Sequence, residues 1–214
     1  MIGIIDYGMG NIQSVQNAFL KVGGNAEIVK TGDELAYCDG LVLPGVGAFS
    51  KAMQNLEAQR IIEPLKQLVA NGTPLFGICL GLQLLGDSSE EFGDSLGLGL
   101  IPGRVIRIPI KQGYHLPHIG WNSVNYTSPQ EAGIFRGVKD GGSFYFVHSY
   151  MFDCDPSFIV AVTDHGARVT AAILSGNIFG AQFHPEKSQT NGLQLLKNFI
   201  ELVAKHKETK HGQK

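Results

Sequence analysis

The sequence predicts an α/β protein with a mixed, mostly parallel central sheet that is flanked by helices and contains antiparallel strands in its second half. In the first two-fifths of the chain, short apolar runs alternate with segments of helical periodicity. Strands that are apolar on both faces in such an alternation are typical of a parallel sheet covered by helices. In the second half, apolar runs follow one another with Gly, Pro, Asn and Asp between them, which predicts antiparallel strands.

The first half contains four predicted strands, at residues 2–6, 26–29, 40–43 and 74–78. A helix follows the first of them and ends at Gly23-Gly24. Its apolar face is predicted to contain Ile12, Val15, Phe19 and Leu20. A long helical region covers 52–70, and a break is expected near Pro64.

The second half is predicted to contain strands within 97–109, 119–126, 143–150, 159–163 and 169–183. Ser175-Gly176-Asn177 lies between two apolar runs and indicates a hairpin turn. A closing helix is expected at 192–204, with Leu193, Leu196, Phe199, Ile200 and Val203 as its buried stripe. Residues 1–204 therefore form one predicted domain, and residues 205–214 a charged, fraying C-terminal tail.

Composition limits the functional classes. The 214 residues carry a formal net charge of -2 and 17% charged residues, so neither nucleic acid nor an anionic membrane is an expected partner. Cys38, Cys79 and Cys154 form no CxxC pair, which predicts neither a disulfide framework nor a metal site and fits a reducing compartment. The N-terminus lacks a basic segment of the signal-peptide type, and no apolar run has the length of a membrane span. We expect a soluble cytoplasmic protein without a cofactor.

Cys79 follows the fourth predicted strand and precedes a helical run, in the pattern Gly-Ile-Cys-Leu-Gly at 77–81. This is the thiol counterpart of the G-x-S-x-G nucleophile elbow, in which a strained strand-to-helix turn exposes the nucleophile. The helix N-terminus favours the thiolate, and the Leu80 N–H can face a developing oxyanion. The alternative is a small buried core residue, which is common for free cysteine.

His184-Pro185-Glu186 offers a base and a group to orient it. Residues two apart on an extended chain point to the same side, and Pro185 disfavours the helical region for His184. Glu186 can then accept from one ring nitrogen while the other faces Cys79. Taken alone, the segment fits an ordinary surface turn better than a catalytic pair, and its occurrence together with the Cys79 motif at strand ends of one sheet is what favours catalysis.

A glycine-rich loop, Gly45-Val46-Gly47, follows the third predicted strand. Its backbone N–H groups could supply the second half of an oxyanion hole at the carboxyl edge of the sheet. An ordinary strand-to-helix loop remains the alternative.

These motifs together resemble the class I (triad) glutamine amidotransferases: GICLGLQLL at 77–85, HPEK at 184–187 and LPGVGAF at 43–49. Four further segments resemble one branch of that family, the glutaminase subunits of imidazole glycerol phosphate synthase. They are IIDYGMGN at 4–11, PHIGWN at 117–122, FYFVHSY at 144–150 and QFHPEKSQ at 182–189. The resemblance covers residues 1–204.

The resemblance implies a glutaminase in which Cys79 is the nucleophile, His184 the acid and base, and Glu186 its orienting partner. Glutamine would be cleaved to ammonia and a glutamyl thioester, which water then hydrolyses. Leu80 and the loop at Gly45, Val46 and Gly47 would supply oxyanion donors. Gln83 and the backbone of Ser149 and Tyr150 would hold the amino-acid end of the substrate.

The resemblance also implies a partner, a cyclase subunit with a (β/α)8-barrel fold that forms a heterodimer with this chain. Ammonia would pass through a channel to the cyclase, which makes imidazole glycerol phosphate and an aminoimidazole carboxamide ribotide in histidine biosynthesis. The implied interface residues are Asn11, His118, Trp121, Tyr145 and Lys187.

Four other functions compete with this prediction. The G-x-G at 8–10 suggests dinucleotide binding, but Gln13 stands where the third glycine is required. A cysteine hydrolase acting on peptides or γ-glutamyl compounds would use similar residues. A paralogous glutaminase subunit that supplies ammonia for surface-sugar biosynthesis would look alike. A non-catalytic regulatory subunit would be expected to lack one member of the triad, whereas all three residues are present.

Overall fold

The computed structural model describes residues 1–127 and 133–211. The helices in these ranges are α1 (Ile12–Lys21), α2 (Gly32–Leu35), α3 (Phe49–Ala58), α4 (Ile62–Ala70), α5 (Leu80–Leu84) and α6 (Gln189–His211). The strands are β1 (Ile2–Ile5), β2 (Ala26–Val29), β3 (Gly40–Gly45), β4 (Leu75–Cys79), β5 (Ser88–Ser89), β6 (Ser95–Leu96), β7 (Gly103–Arg107), β8 (His118–Tyr126), β9 (Gly142–His148), β10 (Tyr150–Cys154), β11 (Ile159–Asp164), β12 (Arg168–Ser175) and β13 (Ile178–Ala181).

Within the described ranges, nine strands form one sheet in the order β2-β1-β3-β4-β13-β12-β11-β8-β9. The pairs from β2 to β13 are parallel, and those from β13 to β9 are antiparallel. The predicted fold class is therefore confirmed. Because β3, β4 and β13 are parallel neighbours, their carboxyl ends meet at one edge of the sheet, where ligands bind in such folds.

Alternation along β1 explains why the sheet is covered on both faces. Ile4 packs into one core with Phe19 of α1 and Phe199 of α6. Ile5 points the other way, into a core with Phe49 of α3 and Leu65 of α4. Helices on both faces leave the strand ends as the accessible part of the sheet.

Two helical predictions need correction. The region 52–70 is broken at 59–61, where Arg60 has a φ of 55°, whereas Pro64 lies inside the first turn of α4. Proline is tolerated there because the N–H it lacks would have no helical partner. Leu20, predicted on the buried face of α1, is exposed.

The second half differs from the prediction in how strands are divided. The segment 143–150 is not one strand, because β9 belongs to the nine-stranded sheet and β10 to a second, four-stranded sheet in the order β10-β7-β5-β6. The chain leaves one sheet and enters the other at Ser149. Of the predicted strand 97–109, the structure contains β7 alone as a strand. The hairpin turn between β12 and β13 is confirmed.

Helix α6 runs through Lys205–His211, where the sequence predicted a fraying tail. Lys207 Nζ lies 3.1 Å from Asp39 Oδ2, which ties this end of the helix to the turn before β3. The last three residues of the predicted tail lie outside the described residues. Among the described residues, none of the helices combines the length and the apolarity that crossing a bilayer requires.

Candidate active site

Cys79 is the last residue of β4 and immediately precedes α5. Its backbone has φ 54° and ψ -108°, a region that non-glycine residues rarely adopt. Such strain persists where the surrounding structure enforces it, and it is concentrated at functional sites. The predicted elbow is therefore present in the backbone. Helix α5 has five residues, and the N–H groups of its first turn follow Cys79 directly.

Steric contacts require glycine at both glycine positions of the elbow, Gly77 and Gly81. A Cβ at Gly77 would lie 2.8 Å from the carbonyl oxygen of Gly81 and from the Leu82 nitrogen. A Cβ at Gly81 would overlap the carbonyl oxygen of Leu43 on the neighbouring strand. Both positions exclude a side chain because backbone atoms, which cannot move aside, approach them closely.

The glycine-rich loop lies beside the thiol. Gly45, the last residue of β3, is directly opposite Cys79 in the parallel β3–β4 ladder. Gly47 has a φ of 106°, which favours glycine. A Cβ at Gly45 would overlap the hydroxyl of Tyr7, which is fully buried and has no hydrogen-bond partner within the described residues. The N–H groups of 45–47 therefore belong to the same sheet edge as the thiol.

His184 and Glu186 meet by a turn and not by extended alternation, which corrects the predicted geometry. Strand β13 ends at Ala181, and Glu186 lies in the 3₁₀ turn Pro185–Lys187. His184 Nδ1 is 2.8 Å from Glu186 Oε1, and both side chains are buried. The backbone of His184 is held by its N–H bond to the Tyr145 carbonyl at 2.9 Å and by the Ser188 hydroxyl, which donates to the His184 carbonyl at 2.6 Å.

The electrostatics of His184 favour its charged form. Burial lowers the pKa of this ring, but its interactions with Cys79 and with Glu186 outweigh burial and raise the pKa to about 10. Nε2 of His184 and Oε2 of Glu186 have no hydrogen-bond partner in the described part of the chain. Unpaired buried polar atoms are costly, and hydrogen bonds of catalytic groups commonly tighten when substrate binds.

A cavity of about 470 Å³ opens above Cys79. Its lining includes Val46, Gly47, Cys79, Leu80, Gln83, Glu91, Phe92, Arg107, Val147, His148, Ser149 and Tyr150. The structure thus brings the predicted nucleophile, most of the predicted oxyanion loop and all the predicted substrate-binding residues to one cavity. Its size falls in the range of small-molecule sites, about 300–1,000 Å³.

Comparisons with known proteins agree with this geometry. The family model described as glutamine amidotransferase class-I matches residues 3–202. The chain belongs to the class-I glutamine amidotransferase family. It is therefore a glutamine-hydrolysing enzyme.

Similar proteins support the same family at two levels. The chain is 47% identical over 205 residues to the imidazole glycerol phosphate synthase subunit HisH of Bacillus cereus (strain ATCC 14579), covering 95% of each chain. It is 46% identical over 203 residues to the HisH subunit of Moorella thermoacetica, covering 94% of this chain and 95% of that one. Among solved structures, a putative GMP synthase subunit from Thermoplasma acidophilum has the same fold, with a TM-score of 0.73, 20% identity and coverage of 98% of this chain and 96% of that one.

In this amidotransferase, Gln83 connects the cavity to the thiol. Its Nε2 donates to the Tyr150 carbonyl at 3.0 Å and to Gln182 Oε1 at 3.0 Å. Gln182 Nε2 in turn donates to Cys79 Sγ at 3.7 Å. From the sequence, no role was predicted for Gln182. Its position directly after β13, two residues before His184, is the signal that could have indicated a place in the active site.

Two charged residues of the amidotransferase cavity were also missed by sequence reasoning. Glu91 and Arg107 both line it, and Glu91 Oε2 accepts a hydrogen bond from the Phe49 N–H at 2.7 Å. They come from the loop after β5 and from the end of β7, in a region where the sequence gives no clear periodicity. Opposite charges at one cavity suit the amino and carboxylate groups of a free amino acid.

Replacing Arg107 with methionine is expected to raise the KM for glutamine about tenfold or more and to leave kcat nearly unchanged, because a charge-assisted hydrogen bond to the carboxylate is lost. Steady-state glutamine hydrolysis measures both constants. Arg104 lies on the same strand and pairs with Asp94, outside the cavity lining, so Arg104→Met is the matched control. Equal effects of the two substitutions would contradict a role of Arg107 in substrate binding.

The residues predicted at a partner interface fall into two groups. Trp121 is 49% exposed and forms an edge contact with Tyr145, whose ring is covered by Lys187 Nζ at 5.6 Å. Asn11 is exposed and caps α1 through its side chain. His118 differs, because it is 3% exposed and hydrogen-bonded inside the chain. The His118 ring is thus buried within the chain, and its predicted place near a partner interface stays a prediction.

Proposed function

We propose that this chain is the glutaminase subunit of an imidazole glycerol phosphate synthase and that Cys79, His184 and Glu186 are its catalytic triad. The observation that carries the triad is the strained Cys79 at a strand end beside the buried His184–Glu186 pair. The identity of 46–47% with HisH subunits over about 95% of the chain supports imidazole glycerol phosphate synthase as the enzyme that uses the ammonia.

In the first half-reaction, the Cys79 thiolate attacks the side-chain amide carbon of glutamine. The resulting oxyanion is stabilised by the Leu80 N–H and by N–H groups of the loop at 45–47. His184, protonated at neutral pH, gives its Nε2 proton to the departing nitrogen, and ammonia leaves. Glu186 stabilises the imidazolium before this transfer and holds the Nδ1–H tautomer after it.

In the second half-reaction, the glutamyl thioester is hydrolysed. The neutral His184 takes a proton from water as the hydroxyl attacks the thioester carbon. The C–S bond then breaks, glutamate is released, and the thiolate–imidazolium pair is restored. Each turnover converts glutamine and water into glutamate and ammonia.

The proposal includes a cyclase partner with a (β/α)8-barrel fold that uses the ammonia to form imidazole glycerol phosphate and an aminoimidazole carboxamide ribotide. The exposed Trp121 and Lys187 and the half-buried Tyr145 would lie in the heterodimer interface, since aromatic residues are enriched at such surfaces and Lys187 Nζ lies over the Tyr145 ring. Cytoplasmic location is part of the same proposal, because the three cysteines are free in the described structure.

The test is an assay of glutamine hydrolysis with and without the cyclase subunit of imidazole glycerol phosphate synthase and its phosphorylated ribulosyl substrate. We expect weak hydrolysis by the chain alone and strong stimulation by the complex with its ligand. Lys187→Met should reduce the stimulation, whereas Lys66→Met, on the distant helix α4, should not. Stimulation by a barrel synthase of surface-sugar biosynthesis instead would overturn the assignment to histidine biosynthesis and leave the glutaminase activity in place.

A further inference from the structure

Two histidines form a buried pair next to the glutamine cavity. His118 on β8 and His148 on β9 are directly opposite each other in the antiparallel ladder. His118 Nδ1 lies 3.0 Å from His148 Nε2, and the rings are 3% and 6% exposed. The proposed mechanism gives neither ring a chemical step.

The neighbouring groups determine the tautomer of each ring. His148 Nδ1 is 2.8 Å from the Tyr150 carbonyl, which only accepts, so this nitrogen must carry a hydrogen. In the neutral ring, His148 Nε2 is then an acceptor, and His118 Nδ1 must donate to it. His118 Nε2 is consequently an acceptor, and it receives a hydrogen bond from Asn122 Nδ2 at 3.2 Å.

The orientation of Asn122 is fixed independently. Its Nδ2 also donates to the Asp164 carbonyl at 2.7 Å, and its Oδ1 accepts from the Ser123 N–H at 2.8 Å. Exchanging the oxygen and nitrogen of this amide would place oxygen against a carbonyl. In the series of hydrogen bonds that runs from Asn122 through His118 and His148 to the Tyr150 carbonyl, each donor and each acceptor is therefore determined.

Both rings are neutral at physiological pH. Burial, followed by the repulsion of His165, lowers the pKa of His118 to about 4. Burial likewise lowers the pKa of His148 to about 3, against a smaller opposing effect of the Tyr150 carbonyl. The titratable groups facing the pair are His165, whose ring stacks on His118 at 4.1 Å, and His184. A proton on either ring would place two N–H groups against each other.

The same Tyr150 carbonyl continues the chain toward the nucleophile. It accepts from Gln83 Nε2, which also donates to Gln182 Oε1, and Gln182 Nε2 donates to Cys79 Sγ. A continuous run of hydrogen bonds thus connects Asn122 on β8 with the thiol. Tyr150, which lines the cavity, lies in the middle of this run.

We propose that His118 and His148 are positioning residues for glutamine hydrolysis, and that their fixed Nδ1–H tautomers hold the Tyr150 carbonyl in the place that orients Gln83, Gln182 and the Cys79 thiol. The functional part of this inference rests on the proposed role of Cys79 as nucleophile. The tautomers themselves follow from the hydrogen-bond geometry alone.

The first test is two-bond ¹H–¹⁵N correlation NMR of the full chain with ¹⁵N-labelled histidine. Of the seven histidines, His118 and His148 are expected to show the Nδ1–H pattern at pH 7 and to stay neutral down to about pH 5. The variants His118→Asn and His148→Asn assign their signals. An Nε2–H pattern for either ring, or titration near its ordinary pKa, would overturn the proposal whatever the enzyme does with glutamine.

The second test compares His148→Asn with His148→Phe. Asparagine retains an N–H near the position of Nδ1 and can still donate to Tyr150, whereas phenylalanine cannot. We expect kcat for glutamine hydrolysis, and the rate of Cys79 alkylation by iodoacetamide, to be about tenfold lower in the phenylalanine variant than in the asparagine variant.

The exposed His115→Gln is the matched control and should behave as the unchanged protein. Equal rates in the two His148 variants at equal thermal stability would overturn the positioning role. Alkylation does not require glutamine to be the substrate, so a failure of the proposed function would appear as absent hydrolysis with the alkylation difference preserved.

Discussion

Cys79→Ala is expected to lower glutamine hydrolysis by about a thousandfold or more, in the chain alone and in the complex with a cyclase, because no acyl intermediate can form without the nucleophile. The fold should persist, because alanine is smaller than cysteine and the side chain is 5% exposed. Thermal unfolding of the variant checks this point. Quenching wild-type enzyme during turnover and detecting a glutamyl adduct on Cys79 by mass spectrometry tests the same step directly.

Cys154→Ala is the control for a general effect of cysteine removal. Cys154 lies on β10, partly exposed and outside the cavity lining, and burial raises its thiol pKa to about 12, so it is a poor nucleophile at neutral pH. Its variant should hydrolyse glutamine at the wild-type rate. Substantial activity in Cys79→Ala, or an adduct on another residue, would exclude the proposed triad.

Gly81→Ala is expected to destabilise the protein by about 4 kcal/mol and to lower Tm by roughly 8–16 °C. The added methyl group on α5 would overlap the carbonyl oxygen of Leu43, whose backbone is held in the sheet by its pairing with β4. To accommodate the methyl group, α5 would have to move away from β3, and the elbow would open. Loss of glutaminase activity should therefore accompany the loss of stability in thermal and urea unfolding.

Gly176→Ala separates this steric clash from the ordinary cost of replacing a glycine. Gly176 has a φ of 56° in the β12–β13 turn, with open space around it, so alanine there should cost about 1 kcal/mol. A Gly81→Ala protein as stable as Gly176→Ala would show that the β3–α5 contact can relax.

The sequence predicts the nucleophile region well because its signals are local. The elbow at Cys79 follows from glycine spacing, and a shared sheet edge for the loop after β3 follows from short runs apolar on both faces; the pairing of Gly45 with Cys79 is known from the structure alone. A tight strand-to-helix turn has few geometries, and a parallel sheet brings strand ends together. The sequence was therefore enough to predict that the two motifs lie at strand ends of one sheet.

The features that the sequence did not predict depend on contacts between residues that are distant in sequence. Nothing in the run 143–150 marks Ser149 as the point where the chain changes sheets, because a strand has the same periodicity in either sheet. The family resemblance implied a place for His118 near a partner interface, whereas alternation along β8 turns its ring inward to His148. Glu91 and Arg107 reach the cavity only through the packing of the smaller sheet on the larger one.

Because the chain changes sheets at Ser149, the proposed catalytic residues and the proposed substrate-recognition residues belong to two different sheets. Bond making and breaking would be confined to the nine-stranded sheet, which holds Cys79, the loop after β3 and the residues after β13. Recognition of the free amino-acid end would depend on Arg107 and Tyr150, on β7 and β10 of the smaller sheet. Evolution could therefore alter which amide is accepted by substitutions in the small sheet, without disturbing the reacting atoms in the large one.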